Sequence, residues 1–150
     1  MTAATTAIRR AGLDDLNALA PLFDAYRQFY GQPADRQRAH DWLCERLQRD
    51  ESVVLLAERD GATLGFTQLY PMFSSVRTAR TWILNDLYVA ADARRSGIAR
   101  TLLDAAAKFA REDGAAGIAL ETGRDNTAAQ ALYRQAGWSE ESNLWFTRPL

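Results

Sequence analysis

The stretch from residue 82 to residue 122 constrains the fold of this chain more than any other. "WILNDLYV" has the character of a strand, and "AGIALET" reads as another, with Ile118 and Leu120 alternating with smaller residues. Between them runs an amphipathic helix whose apolar side is Ile98, Leu102, Ala106, Phe109 and Ala110. A strand, a helix and a strand in that order form a parallel crossover, because parallel neighbours cannot be joined by a tight hairpin. The sheet must therefore be mixed or parallel and carry a helix on at least one face.

The turn that opens this helix, "DARRSG", sets Arg94 and Arg95 beside Gly97. A helix start leaves about four backbone N–H groups without intrahelical partners, and its dipole favours negative charge. Ligands of open α/β sheets gather at strand C-terminal ends, so position and composition both make the turn a candidate phosphate site. A P-loop needs two glycines followed by Lys-Ser/Thr, and a dinucleotide turn needs G-x-G-x-x-G; this turn has only Gly97, between Ser96 and Ile98. What remains is Arg94-x-x-Gly97-x-Ala99, whose small residues let a pyrophosphate approach the backbone while Arg94, Arg95 and Arg100 add charge.

The rest of the chain supplies partners for this unit. "AIRRA" predicts a first strand, and "LDDLNALAPLFDAYRQFY" a helix capped by Asp14, with Leu16, Leu19, Phe23, Tyr26 and Tyr30 at helical spacing. Pro21 inside it should kink the helix or shift its start. A second helix presents Ala39, Trp42, Leu43 and Leu47 on one face. "SVVLLAER", "ATLGFTQLYPMF" and "ARTWILNDLYVA" form an antiparallel meander, its first turn made by Asp60-Gly61. After "AGIALET" a last helix, "NTAAQALYRQA", is capped at Asp125 or Asn126 and stops at Gly137, and "WSEESNLWFTRPL" supplies one or two closing strands. The expected architecture is α/β (α+β), a mixed sheet of six to seven strands flanked by four helices, in one domain over residues 1–150 with an ordered core from about residue 7.

Composition narrows the chemistry. At 150 residues, 47% hydrophobic and 25% charged, the chain is an ordinary globular domain. A formal net charge of −1 offers no bulk basic field for nucleic acid or an anionic membrane. One cysteine, Cys44, and one histidine, His40, exclude an internal disulfide and the usual zinc clusters, so no metal site is expected. Cys44 and His40 lie four apart on a helix, a spacing that also suits a nucleophile–base pair, but nothing else in the sequence supports that chemistry. "MTAATTAIRRAG" has no leader pattern, and no apolar run is long enough to span a membrane, which predicts a cytoplasmic protein.

"LYVAADARRSGIARTLLDAAAKFA" resembles the signature of the GNAT N-acetyltransferase superfamily, and "LETGRDNTAAQALYRQAGW" is similar to that family's second motif, Asn-x-x-Ala-x-x-Leu-Tyr followed by Gly and an aromatic. "IRRAGLDDL" and "LAERDGATLGFTQLY" also resemble the family's opening strand and central hairpin, so the likeness covers nearly the whole chain. Ala99 stands where the family commonly has glycine. The resemblance implies the GNAT fold with a splayed pair of parallel strands, acetyl-CoA as co-substrate, and direct transfer of acetyl to an amine. It implies that Leu87, Tyr88 and Val89 offer backbone groups to the pantetheine arm. Arg94, Arg95, Ser96, Gly97, Ile98, Ala99 and Arg100 would hold the pyrophosphate, and Asn126 and Ala129 would touch the cofactor. Tyr133 matches the tyrosine that reaches the sulfur as general acid; the other reading makes it a core aromatic.

Within the superfamily the "NDLYV" region looks most like the diamine (spermidine/spermine, thialysine) acetyltransferase branch, with Asn85 replacing the first of an acidic pair. Asp86 remains as a base or cation anchor, or else as a surface carboxylate on a strand end. Tyr26 and Tyr30, with Asp24, Asn85 and Asp86, are the candidate acceptor-binding residues. The expected function is an acetyl-CoA-dependent N-acetyltransferase acting on a small primary amine such as a polyamine or amino acid. A protein lysine or N-terminal acetyltransferase and a noncatalytic acetyl-CoA sensor are the alternatives, and the resemblance is compatible with a homodimer.

Overall fold

The computed structural model describes residues 4–150, so the first three residues of the N-terminal stretch lie outside it. Five strands and four helices follow one another as β1 (Ala7–Arg10), α1 (Leu16–Phe29), α2 (Arg36–Gln48), β2 (Val53–Arg59), β3 (Ala62–Ser74), β4 (Ala79–Val89), α3 (Ile98–Glu112), β5 (Ile118–Ala119) and α4 (Thr127–Gln135). The sheet has the order β1-β2-β3-β4-β5, antiparallel throughout except for the parallel β4–β5 pair. Asp60 and Gly61, both with positive φ, make the tight β2–β3 turn.

Alternation along β2 builds two cores from one sheet. Val54 and Leu56 pack with Phe66 against Leu16, Leu19 and Phe23 of α1 and Ala39 and Leu43 of α2. Val53 and Leu55 face the other way and pack with Trp82, Leu84 and Leu103 and Ala106 of α3. Ile98 and Leu102 extend that second layer over Ala57, so α3 is anchored from its first turn. Emptying the Leu102 site, which is wholly buried, would cost about 2–5 kcal/mol.

Two local expectations are corrected, the Asp14 cap and the strand count. Asp15, not Asp14, marks the entry to α1: its carboxylate accepts the Gly12 N–H at 2.8 Å and a forked pair from Arg9 at 2.6 and 3.0 Å, while Arg9 also reaches Glu58 at 2.8 Å. Pro21 sits inside α1, which a single 3-10 turn at Leu13–Asp15 precedes. The sheet has five strands rather than six to seven, because β5 pairs only at Ile118 and Ala119 and residues 139–150 form no strand with this chain.

Candidate functional site

At the start of α3, the apolar face fixes Ile98 in the core and leaves the turn before it in solvent. Gly97 has φ 78° and Arg95 φ 63°, a left-handed geometry that bends the backbone so its amides can point together. No side chain caps the helix, and intrahelical bonding starts with the Thr101 N–H on the Gly97 carbonyl at 3.0 Å. The N–H groups of Ile98, Ala99 and Arg100 therefore have no hydrogen-bond partner among the described residues. Arg94 donates to the Val89 carbonyl at 3.1 Å and lies over the Tyr88 ring, Ser96 donates to the Ala93 carbonyl, and Arg100 pairs with Asp104 at 3.1 Å. Arg95 makes no ion pair among the described residues. Such an end, with free amides and an uncommitted arginine, can hold an anion.

The strand leading into this turn is half open. Trp82 and Ile83 pair with β5, after which the two parallel strands part, leaving the β5-facing edge of Leu87, Tyr88 and Val89 unpaired. An extended amide-bearing chain can hydrogen-bond to such an edge. Gly65 makes the opposite edge possible: a Cβ there would sit 2.7 Å from the Tyr88 carbonyl oxygen.

A bulge then decides which way Asp86 points. Gln68 pairs with Asp86 but Leu69 pairs with Leu84, so Asn85 is the extra residue. Trp82 and Leu84 belong to the α3 core, whereas Tyr88 packs on the α1 side; without the bulge these even-numbered residues would share one face. Asp86 is thus turned toward α1 and buried, which overturns its reading as a surface carboxylate. Its oxygens accept from Gln68 Nε2 at 2.8 Å and Asn85 Nδ2 at 3.1 Å, and the Tyr26 hydroxyl adjoins it. Burial raises the Asp86 carboxyl above the ordinary carboxylate range, and these donors pull it only partly back. Burial beside Asp86 also raises the Tyr26 phenol.

Above Asp86 lies a cavity of about 460 Å³. Phe23, Tyr26, Arg27 and Tyr30 fall at i, i+3, i+4 and i+7 of α1, so the stripe that builds the core near Leu16 continues outward as one wall. Arg38 and Trp42 of α2 and Tyr70 of β3 complete it. Asp24 does not line it: buried, it holds Arg27 at 2.8 Å, Gln28 at 3.1 Å and the Asp35 N–H at 3.0 Å, tying α1 to the entry of α2. Tyr70, Gln68 and Arg38 carry no motif that marks them in the sequence. Period-two spacing from Phe66 places Gln68 and Tyr70 on the α1 face, which is the available signal.

A second cleft adjoins the first through Tyr26, Tyr30 and Asn85 and runs to Glu121–Asn126 before α4. Asn126 caps α4, accepting the Ala129 N–H at 3.3 Å. Tyr133, one face along that helix, is half-buried; burial raises its phenol, with Tyr30 contributing in the same direction. His40 bonds Asp41 at 3.1 Å, and Cys44 packs against the α1–α2 core. The described residues contain no group of His, Cys, Asp and Glu able to hold a metal. No helix among them is long and apolar enough to cross a membrane.

The comparisons agree with this geometry. The model of the acetyltransferase (GNAT) family matches residues 17–138. An uncharacterized N-acetyltransferase of Bacillus subtilis (strain 168), YhfO, is 47% identical over 137 residues, 91% of this chain and 92% of that protein. The crystal structure of a probable acetyltransferase superposes with a TM-score of 0.92 at 44% identity, covering 96% of this chain and 97% of that one. An aminoglycoside N-acetyltransferase in complex with CoA shares the fold, with a TM-score of 0.82 at 23% identity over 99% of this chain and 97% of that one. By its turn, its parted parallel strands and these relatives, the chain belongs to the GNAT family and is an N-acetyltransferase.

Proposed function

We propose that this enzyme transfers the acetyl group of acetyl-CoA to the primary amine of a small molecule, and that this acceptor also carries an anionic group. The observation that carries the reading is the cavity of about 460 Å³ over buried Asp86, which joins the cleft leading to α4. That volume is of small-molecule size, with aromatic walls and few polar groups to set orientation.

Family membership and the free amides of the α3 turn support acetyl-CoA. The Gly97 turn with Arg95 takes the pyrophosphate, and the open edge at Leu87–Val89 takes the amides of the pantetheine arm. Asn126 and Ala129 border the same arm from α4. The thioester then lies between Asn85 and Tyr133. An ammonium cannot attack, so the amine first loses a proton, which Asp86 takes directly or through the Tyr26 hydroxyl. The nitrogen lone pair adds to the thioester carbonyl, the tetrahedral adduct collapses with cleavage of the C–S bond as the Tyr133 O–H gives its proton to the departing thiolate, and the second proton shed by the nitrogen restores the Tyr133 phenol, leaving a neutral amide and CoA thiol.

Charge selects among amines. Two arginines and one buried carboxylate line the cavity; Arg27 is matched by Asp24 at 2.8 Å, while Arg38 has no ion pair among the described residues. The second ammonium of a diamine would find Arg38 and no second carboxylate, since Asn85 is an amide. An amine paired with a carboxylate or phosphate places one end on Asp86 and the other on Arg38. This favours an amphoteric acceptor over the polyamines of the diamine branch.

The test is CoA release from acetyl-CoA over a panel of amino acids, their amides, diamines and lysine peptides. Higher kcat/KM for an amino acid than for its amide, reversed in favour of diamines by Arg38→Glu, is expected. Turnover with peptides alone would move the activity to proteins, and turnover with no amine would leave a sensor.

A further inference from the structure

Three donors meet the Asp86 carboxylate, and they differ in what else they touch. Tyr26 and Asn85 line both the cavity over Asp86 and the cleft leading to α4, so each also faces the substrates. Gln68 lines neither. It is wholly buried, and its Nε2 donates to Asp86 Oδ2 at 2.8 Å. Its other amide atom, Oε1, is buried without a hydrogen-bond partner among the described residues. A buried acceptor that has lost its water and found no replacement destabilises the fold, and an apolar side chain of the same length, such as methionine, would avoid that loss. Packing therefore does not account for an amide at this position; the bond to Asp86 does.

The sheet sets up that bond. Gln68 and Asp86 are cross-strand partners next to the bulge, so their side chains leave the same face side by side. The neighbouring Thr67, also wholly buried, donates its hydroxyl to the Asp86 carbonyl at 2.8 Å. One residue of β3 thus ties the Asp86 backbone and the next ties its carboxylate. An ionised carboxylate only accepts, so the amide is oriented with Nε2 toward it; turned over, Oε1 would stand against like charge. Burial raises the Asp86 carboxyl and the three donors lower it, Gln68 the most of the three.

We propose that Gln68 is a positioning residue of the reaction: it acts through Asp86, fixing the carboxylate toward the acceptor amine and supplying the hydrogen bond that its ionised form needs inside the core. The inference rests on the reading of Asp86 as the group that takes the amine's proton. Without Gln68 the carboxylate keeps only donors that substrate and solvent can draw away, so it turns more freely and holds a proton to higher pH. The other ionisable groups around it are Tyr26, Tyr30 and Arg27 of α1, Arg38 of α2 and Tyr70 of β3. Burial pushes the Tyr26 and Tyr70 phenols up, so neither ionises where a carboxyl does.

Gln68→Met tests this with two readouts. The Asp86 carboxyl is followed by carboxyl-carbon NMR of aspartate-labelled protein, its signal identified by its loss in Asp86→Asn, and kcat is measured against pH with acetyl-CoA and the best amine of the panel. In Gln68→Met the Asp86 signal is expected to titrate at higher pH than in the wild type, and the acid limb of kcat to move up with it. Plateau kcat should fall by about 10²-fold, with the KM for acetyl-CoA unchanged. An Asp86 titration that stays in place in the folded variant would overturn the proposal and leave the base reading standing. A moved titration with an unmoved acid limb would remove Asp86 as the base, and with it the part of Gln68 in the reaction. If Gln68→Met fails to fold, nitrogen-labelled wild-type protein decides: the Gln68 side-chain amide resonances should shift along the Asp86 titration, and resonances indifferent to it would overturn the pairing.

Discussion

Asp86 is buried and Tyr133 half-buried, and desolvation acts on the two differently. In the proposed mechanism the Tyr133 hydroxyl protonates the leaving thiolate, so Tyr133→Phe should leave CoA affinity and melting temperature unchanged while turnover falls by about 10²–10⁴-fold. Single-turnover rates measure this, and wild-type rates would assign thiolate protonation to water. For Asp86, burial raises the folded-state pKa above the unfolded value, so the unfolded chain ionises first as pH rises and stability falls across that window. Asp86→Asn should remove this slope in thermal melts from about pH 4 upward. It should also cost turnover, with part of the loss recovered at high pH where the amine is already free. The variant keeps its packing because the Gln68 amide can turn, offering Oε1, which has no partner, to the new Nδ2.

Helix α3 and strand β4 meet at the anion turn, and each depends on a glycine for a different reason. Gly97 sits at φ 78° with nothing within 4 Å of where a Cβ would stand, so a side chain there strains the backbone by about 1–2 kcal/mol yet finds open space. Gly97→Glu should therefore fold and lose acetyl-CoA binding, because its carboxylate stands where the pyrophosphate would; calorimetry on the folded variant gives the answer. At Gly65 the constraint is contact, since a Cβ would meet the Tyr88 carbonyl at 2.7 Å. Gly65→Ala should cost about 1–3 kcal/mol in chemical denaturation and weaken CoA affinity by shifting the end of β4. The bulge at Asn85 belongs to this scale as well, since one added residue moves Asp86 from one face of the sheet to the other.

Across the whole molecule, the second cleft lies where β4 and β5 part, so a ligand there couples elements that the sheet itself leaves unjoined. Acetyl-CoA at a hundred times its Kd should stabilise the fold by about 2.7 kcal/mol, seen as a melting shift of several degrees. Dephosphorylated pantetheine should shift it much less, and added salt should weaken CoA binding by screening Arg95 and its neighbours. Equal shifts for the two ligands would remove phosphate from the turn.

What the sequence by itself determined is local: the parallel crossover, the glycine turn that opens α3, the Asn126 cap, and the α1 stripe that runs from Leu16 to Tyr30. These follow from spacing within one element and from backbone sterics, which neighbouring residues dictate. Only the tertiary structure decided the facing of Asp86, the recruitment of Tyr70 and Arg38 to its cavity, and the diversion of Asp24 to the α1–α2 connection. It also decided the strand count, because pairing depends on whether a distant edge is present and in register. "NLWFTRPL" reads as a strand from its own residues, but whether it becomes one rests on the edge it meets.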